Sequence, residues 1–255
     1  MNGKNDHGFT LVELMVAMAI TLIVGVVITV AYTVQSRVHA EQDALVETQQ
    51  NIRAALQFMQ SELRLAGYNP KGTEGKDCGA SAGGSAKPGI HTATANSIGF
   101  SMDLDNDGKC TTPGENVLYQ LYGLSNGVMK LGRRELGSTQ QPVAENISAD
   151  TGGGIAGLEF TYLFAPSRLG ETGSTPPTST PTAGELENIR AVQVSLIVRS
   201  ETPDKQSRAA AVFDIVRPDA WGGVDSSALR RVTYNDSYRY RHQGLLVNLR
   251  NMGLE

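Results

Sequence analysis

The sequence has little of what soluble enzymes and nucleic-acid binders rely on. Two cysteines, Cys78 and Cys110, and four histidines are its full supply of soft ligands, with no C-x-x-C or H-E-x-x-H pairing, so a zinc site is not indicated. A formal net charge of −4 offers no broad basic surface for nucleic acid or anionic lipid. Aromatic residues make up 6% of the chain, which points to a modest core. No proline occurs before Pro70, so nothing in the first 69 residues forbids an uninterrupted helix. Charge is almost missing between Phe9 and Tyr32, where Glu13 is the only charged residue.

That apolar run is the strongest feature present. At about 1.5 Å per residue it would cross a hydrocarbon core of roughly 30 Å. A carboxylate in such a segment is costly without a partner, which makes Glu13 a functional residue by default. The leader before the run, MNGKNDHG, is short and polar. A secretory signal would carry small residues for cleavage after the run, but ITVAYTVQS fits poorly and a glycine stands before it. An uncleaved amino-terminal anchor is the plainest reading of these features.

Beyond Tyr32 the apolar positions thin to a stripe seven residues apart, Val38, Leu45, Ile52, Met59 and Ala66, joined by Leu56 and Leu63. The pattern predicts one helix from Phe9 to Ala66, roughly 85 Å long if unbroken, stopped by Gly67 and Pro70. Roughly 190 residues follow, enough for one core or two small ones. Residues 69–96 read as a long Gly/Ala/Ser loop. Alternation then predicts strands at Ser97–Met102, Val117–Leu124, Gly127–Leu131, Leu158–Phe164, Ile189–Arg199, Ala211–Ile215 and Leu245–Leu249. Ser125-Asn126-Gly127 reads as a hairpin turn. The Thr- and Pro-rich stretch 166–188 reads as a flexible insertion. A helix followed by antiparallel strands is an α+β layout.

Gly8-Phe9-Thr10-Leu11-Val12-Glu13, directly ahead of the apolar run, resembles the class III signal of type IV pilins and type II secretion pseudopilins. The resemblance implies cleavage by prepilin peptidase between Gly8 and Phe9, N-methylation of Phe9, and a role for Glu13 in assembly through a neighbour's amino terminus. It further implies a pilin-like fold, a long helix packed on an antiparallel head. The expected divisions are a leader 1–8, a transmembrane segment 9–32, an extramembrane helix half 33–68 and a head 69–255. Phrases such as VLYQLYG, NIRAVQVSLIVRS and LLVNLRNMGL resemble PilW-type minor pilins, which are similar to J-type pseudopilins of type II secretion. Expected partners are then prepilin peptidase, other minor pilins, the major pilin, the pilus assembly machinery and the inner membrane. Location would be a single-pass inner-membrane protein with a periplasmic head, later at the cell surface in a pilus.

Other motifs carry residue types capable of chemistry. Asp103-Leu104-Asp105-Asn106-Asp107-Gly108 opens like a calcium loop, with Asp103, Asp105 and Asp107 as candidate ligands; position twelve is Gly114, and Glu115 comes one place late. An acidic hairpin turn is the alternative. If the head lies outside the cytoplasm, Cys78 and Cys110 could close a loop of about 30 residues, worth about 3 kcal/mol; two free thiols are the other reading. Gly79-Ala80-Ser81-Ala82-Gly83 fits G-x-S-x-G but lacks the strand and helix that would expose Ser81, with only His91 and His242 as bases in the body. Gly152–Gly157 fits G-x-G-x-x-G but precedes a strand. Tyr238-Arg239-Tyr240-Arg241 interleaves rings and charges, a pattern that can stack on bases, though an ordinary exposed strand explains it too. The expectation is a structural protein without enzymatic activity and without nucleic acid as partner.

Overall fold

The computed structural model of the chain describes residues 10–72, 78–79, 87–125, 127–149, 157–164, 177–203, 210–218 and 224–252. The chain divides into two units, Met1–Leu45 and Val46–Glu255. Helix α1, Leu11–Leu63, contributes to both. It holds one window apolar and long enough to cross a membrane, with mean hydropathy 2.8 and none of that window buried. The β-branched residues crowded there are poor helix formers in water. A helix is nonetheless the one single-segment structure that satisfies its own backbone in lipid. Thr21 and Thr29 follow the same rule, donating their hydroxyls to the carbonyls of Ala17 (2.7 Å) and Gly25 (2.8 Å) one turn back.

Within the second unit α1 buries Thr48, Ile52, Ala55, Leu56, Met59 and Leu63. The lower part of the expected stripe is therefore core. Its upper part is not: Val38 is exposed and Leu45 half-buried. The helix ends at Leu63, three residues before the expected stop. Tighter turns then carry the chain through Ala66, whose N–H bonds the Leu63 carbonyl, to Gly67 at φ 77°. That left-handed conformation suits glycine, and the Gly67 N–H turns onto the Ser101 carbonyl at 3.0 Å.

The described strands are β1 (Ile90–Ala93), β2 (Ser97–Ser101), β3 (Asn116–Ser125), β4 (Val128–Glu135), β5 (Gln141–Ser148), β6 (Leu158–Phe164), β7 (Ile189–Arg199), β8 (Ala211–Pro218), β9 (Val224–Tyr234) and β10 (Tyr240–Asn248). One antiparallel sheet runs β1-β2-β3-β4-β5-β7-β10, with β6 also paired to β7. β5 meets β7 at Ile147–Val198, while β6 takes Leu158–Leu196 through Phe164–Ile189. The sheet curls back on itself, since the Phe160 N–H reaches the Ala95 carbonyl at 2.8 Å and the Tyr162 hydroxyl the Thr94 carbonyl at 2.9 Å. Inside the curl, the helix residues meet Ile98, Phe100, Tyr119, Leu131, Phe160, Val194 and Leu196 in one core. β8 and β9 form a separate hairpin. Ile215, Val232 and Tyr234 from it join Ile197 of β7 and Tyr240 of β10 in a second, smaller cluster. β7 is thus buried on both faces, which is why it reads as a nearly continuous apolar run.

β1, β5 and β9 were not expected from the sequence, and β10 begins five residues before the predicted Leu245. β1 has four residues, too few for a periodicity. β5 carries Pro142 and a left-handed Asn146 (φ 57°), and its pairing to β4 slips twice, so no alternation survives. Of the insertion expected at 166–188, residues 166–176 lie outside the described residues. Its remainder, 177–188, is structured: Thr178 bridges Tyr162, and Ala183–Asn188 form a 3-10 helix capped by Thr182 and Glu185.

Candidate functional site

Gly8 and Phe9 lie outside the described residues; the first described turn begins at Thr10. Thr10 and Glu13 close a capping box there. The Thr10 N–H donates to Glu13 Oε2 at 3.0 Å, the Thr10 hydroxyl to the same oxygen at 3.1 Å, and the Glu13 N–H to Thr10 Oγ1 at 3.2 Å. The helix has unsatisfied N–H groups at that end, so a carboxylate in the first turn is also favoured by the helix dipole. Sequence reading singled out Glu13 and missed its local partner, although T-x-x-E ahead of an apolar run is a legible signal.

In the head, Cys78 and Cys110 are bonded, with Cα atoms 4.9 Å apart. Beside Cys110 lies the acidic loop. Carboxylate oxygens of Asp103, Asp105 and Glu115 lie within 4.8 Å of one another. Asp107, expected as the third ligand, is not in that group; its Oδ1 accepts the Lys109 N–H at 2.7 Å. Glu115 takes the place because the loop returns into β3 and points this buried side chain back at Asp103, a long-range closure that linear spacing does not encode. All three carboxylates already have donors. Asp103 takes the N–H groups of Asp107 (3.2 Å) and Gly108 (3.0 Å), and Asp105 the Thr112 hydroxyl (2.8 Å). Glu115 takes the N–H groups of Leu104 and Thr112, both at 2.8 Å. The residues that could hold a cation are therefore Asp103, Asp105 and Glu115, in a loop its own backbone already closes.

A second polar cluster fastens α1 to the sheet. Glu62 accepts the Tyr119 hydroxyl and two bonds from Arg133 Nε at 3.0 and 3.1 Å, and Arg133 Nη1 reaches Glu135 at 2.6 Å. Burial works against the Arg133 charge, yet its bonds to Glu62 and Glu135 hold its pKa above the usual arginine value. Burial and the Glu62 charge push the Tyr119 hydroxyl well above the usual tyrosine range. Nothing in the spacing of these residues, 57 and 71 positions apart from Glu62, announces the cluster.

Among the described residues, the motifs with a chemical pattern bring no catalytic group together. Ser81 lies outside the described residues, as do residues 151–156; Gly157 immediately precedes β6. His91 sits with Nε2 3.1 Å from Asn116 Oδ1, beside a polar recess that Arg134 and Gln120 also line. His242 Nε2 lies 2.8 Å from Ser195 Oγ, but Ser195 is 4% exposed and closed to a substrate. Burial lowers the pKa of both histidines. The interleaved Tyr/Arg segment spends its rings internally: Tyr234 and Tyr240 stack at 4.1 Å, and Tyr238 lies 3.7 Å beneath the Arg199 guanidinium. Those faces are unavailable to nucleobases.

Residues 3–29 match the prokaryotic N-terminal methylation motif, and residues 41–213 match prepilin peptidase-dependent protein B. No curated protein matches the chain. Among solved structures, a type IV-like pilin from Thermus thermophilus is similar at 13% identity, covering 80% of this chain and 98% of that one with a TM-score of 0.42.

Proposed function

The chain belongs to the prepilin peptidase-dependent protein B family, and on that premise we propose that it is a minor type IV pilin that primes pilus assembly or sits at the pilus tip. That it is a prepilin peptidase-dependent, type IV pilin-like protein follows from the family itself. In the finer reading, prepilin peptidase cuts between Gly8 and Phe9, and Phe9 is N-methylated. The apolar part of α1 then holds the chain in the inner membrane until it enters a fibre. The observation that carries this is the methylation motif at residues 3–29, set directly on a helix whose membrane-length window buries nothing within its own chain.

The role of the carboxylate follows. Once the leader is removed, Phe9 would carry a positive α-amine next to the Thr10–Glu13 turn. A neighbour's amine and Glu13 would then form a charge-assisted pair at low dielectric. Glu13 selects register, apolar packing supplies the attraction, and the head chooses the partners. Mass spectrometry of the amino-terminal peptide, from membranes and from sheared surface fibres, tests the proposal. A methylated Phe9 terminus in fibres is the expected result. The same peptide confined to membranes would favour a J-type pseudopilin of type II secretion, and an intact Met1 leader in both fractions would end the reading.

A further inference from the structure

β10 ends the main sheet with a bare edge. It pairs β7 through consecutive positions from Tyr240–Arg199 to Asn248–Ala191, without a register shift. The Leu249 N–H bonds the Arg190 carbonyl and the Ser200 N–H the Arg239 carbonyl, while the Ile197 N–H turns away to Gly157. In an antiparallel ladder that alternation points the backbone groups of Arg241, Gln243, Leu245 and Val247 at β7, and those of His242, Gly244 and Leu246 outward. Among the described residues no hydrogen bond reaches those outward groups. The outer side of β6 is not left so. There the Phe160 N–H bonds the Ala95 carbonyl, and Tyr162 exchanges both backbone bonds with Thr178.

Natural sheets blunt such an edge with lysine, proline, a bulge or brevity. β10 has neither lysine nor proline, no bulge against β7, and a length of 9 residues. β1, at the opposite end of the sheet, has 4. Gly244, which has no side chain to block an approach, and the exposed Leu246 lie within the bare stretch. Exposed arginines bracket it, Arg241 before and Arg250 after. Among the described residues no carboxylate pairs with either. From Tyr238 to Gly253 the sequence contains no acidic residue.

We propose that the β10 edge takes an extended segment of another polypeptide as the next strand of the sheet, a segment uncharged at its centre and acidic at both ends. Main-chain bonds to His242, Gly244 and Leu246 hold the segment, and the two arginines select its charge and register. A second copy of this edge is the wrong partner. It brings only cations to an edge that carries only cations, and like charges across a strand pair are destabilising. An added strand requires neither cleavage at Gly8 nor entry into a fibre, so the inference stands apart from the function proposed above.

The test uses the full chain in nonionic detergent micelles, with the fluorescein-labelled peptide EETVTVTEE and its counterpart KKTVTVTKK. Saturable anisotropy with the acidic peptide is expected, and binding at least about tenfold weaker with the basic one at equal ionic strength, the scale of reversing two cross-strand charge pairs. Bound acidic peptide should slow amide exchange at His242, Gly244 and Leu246 and leave Gln243 and Leu245, already bonded to β7, unchanged. Gly244→Pro removes an outward N–H and no bond to β7, so it should abolish binding with the melting of the head unmoved. Arg241→Glu combined with Arg250→Glu should reverse the preference between the peptides. Equal binding of the two peptides by the parent chain would overturn the acidic partner. Exchange slowed elsewhere, or without the alternation, would overturn the edge. A dimer that forms without peptide and is lost in Gly244→Pro would overturn the choice of partner in favour of a second copy. The titration and the exchange use the unmodified chain, so they decide the matter even where a variant folds poorly.

Discussion

The two units of this chain treat apolar and polar surface in opposite ways. From Thr10 to Ala40 every residue is exposed, among them Leu22 and Ile23, while Thr10, Glu13, Thr21 and Thr29 find hydrogen-bond partners within a turn of themselves. In Val46–Glu255 a large share of the described apolar groups is buried in one core, and polar groups close over long separations, as Glu62 does with Arg133. Among its described residues the first unit buries none of its apolar side chains from Leu11 to Val38; under the proposed function, lipid or neighbouring helices supply that packing. The second buries a core of its own around Met59, Phe100 and Phe160. Assembly and stability should therefore separate cleanly by position along one continuous helix.

The largest effect expected on assembly is from Glu13→Ala. The peptide at Phe9 should still be processed, but the amount recovered in sheared fibres, measured by immunoblot, should fall to background. A fibre fraction of normal abundance would remove Glu13 from the assembly mechanism. The largest effect on the head is expected from Met59→Ala. Met59 is fully buried, and such truncations cost about 2–5 kcal/mol. Val24→Ala, on the same helix but in the exposed unit, should leave the melting of the head unchanged. If calorimetry in detergent shows equal losses for the two, the division between the units is wrong. Replacing both Cys78 and Cys110 by Ser should cost about 3–4 kcal/mol by loop-closure entropy, across a separation of 32 residues.

What could be read from the sequence follows the same division. The membrane-length run, the proline-free helix and the GFTLVE signal are local patterns, each complete within a few turns. β6 and β7 appear with the limits expected, Leu158–Phe164 and Ile189–Arg199, because deep burial leaves a long apolar signature. β9 left none, since its described anchors in the smaller cluster are only Val232 and Tyr234. The acidic loop shows the limit at a site. Asp103 and Asp105 were legible as an opening pattern, whereas Glu115 enters only once the loop returns into β3.

A smaller effect is expected at the helix start. Thr10→Ala removes the cap oxygen that Glu13 N–H uses, worth about 1 kcal/mol in capping series, and Thr10→Ser should restore it. Hydrogen exchange of the first-turn amides in micelles should be faster in Thr10→Ala alone, with the melting of the head unmoved. Faster exchange at Met59 as well would mean that the two units are coupled.

The mildest expected effect is a pH dependence confined to the head. His242 lies against Ser195 and, at 6.0 Å, the Phe213 ring, and burial lowers its pKa below the ordinary 6.5. The unfolded chain then takes up a proton near 6.5 that the folded chain resists. Between the lowered pKa and 6.5 the unfolded state binds more protons, so stability rises with pH across that window. The contribution is complete above 6.5 and is lost as pH falls toward the folded value. His91 shifts in the same direction, burial outweighing its bonds to Asn116 and Phe100, and adds to the slope. Asp214 does not interfere, because the Arg231 hydrogen bond places its titration below 3.8. Melting temperatures recorded between about pH 7 and pH 5 should fall in the parent chain and fall less in His242→Gln. Equal slopes in the two would show that His242 is as easily protonated in the folded head as in the unfolded chain, and that β8 and β9 do not seal it from water.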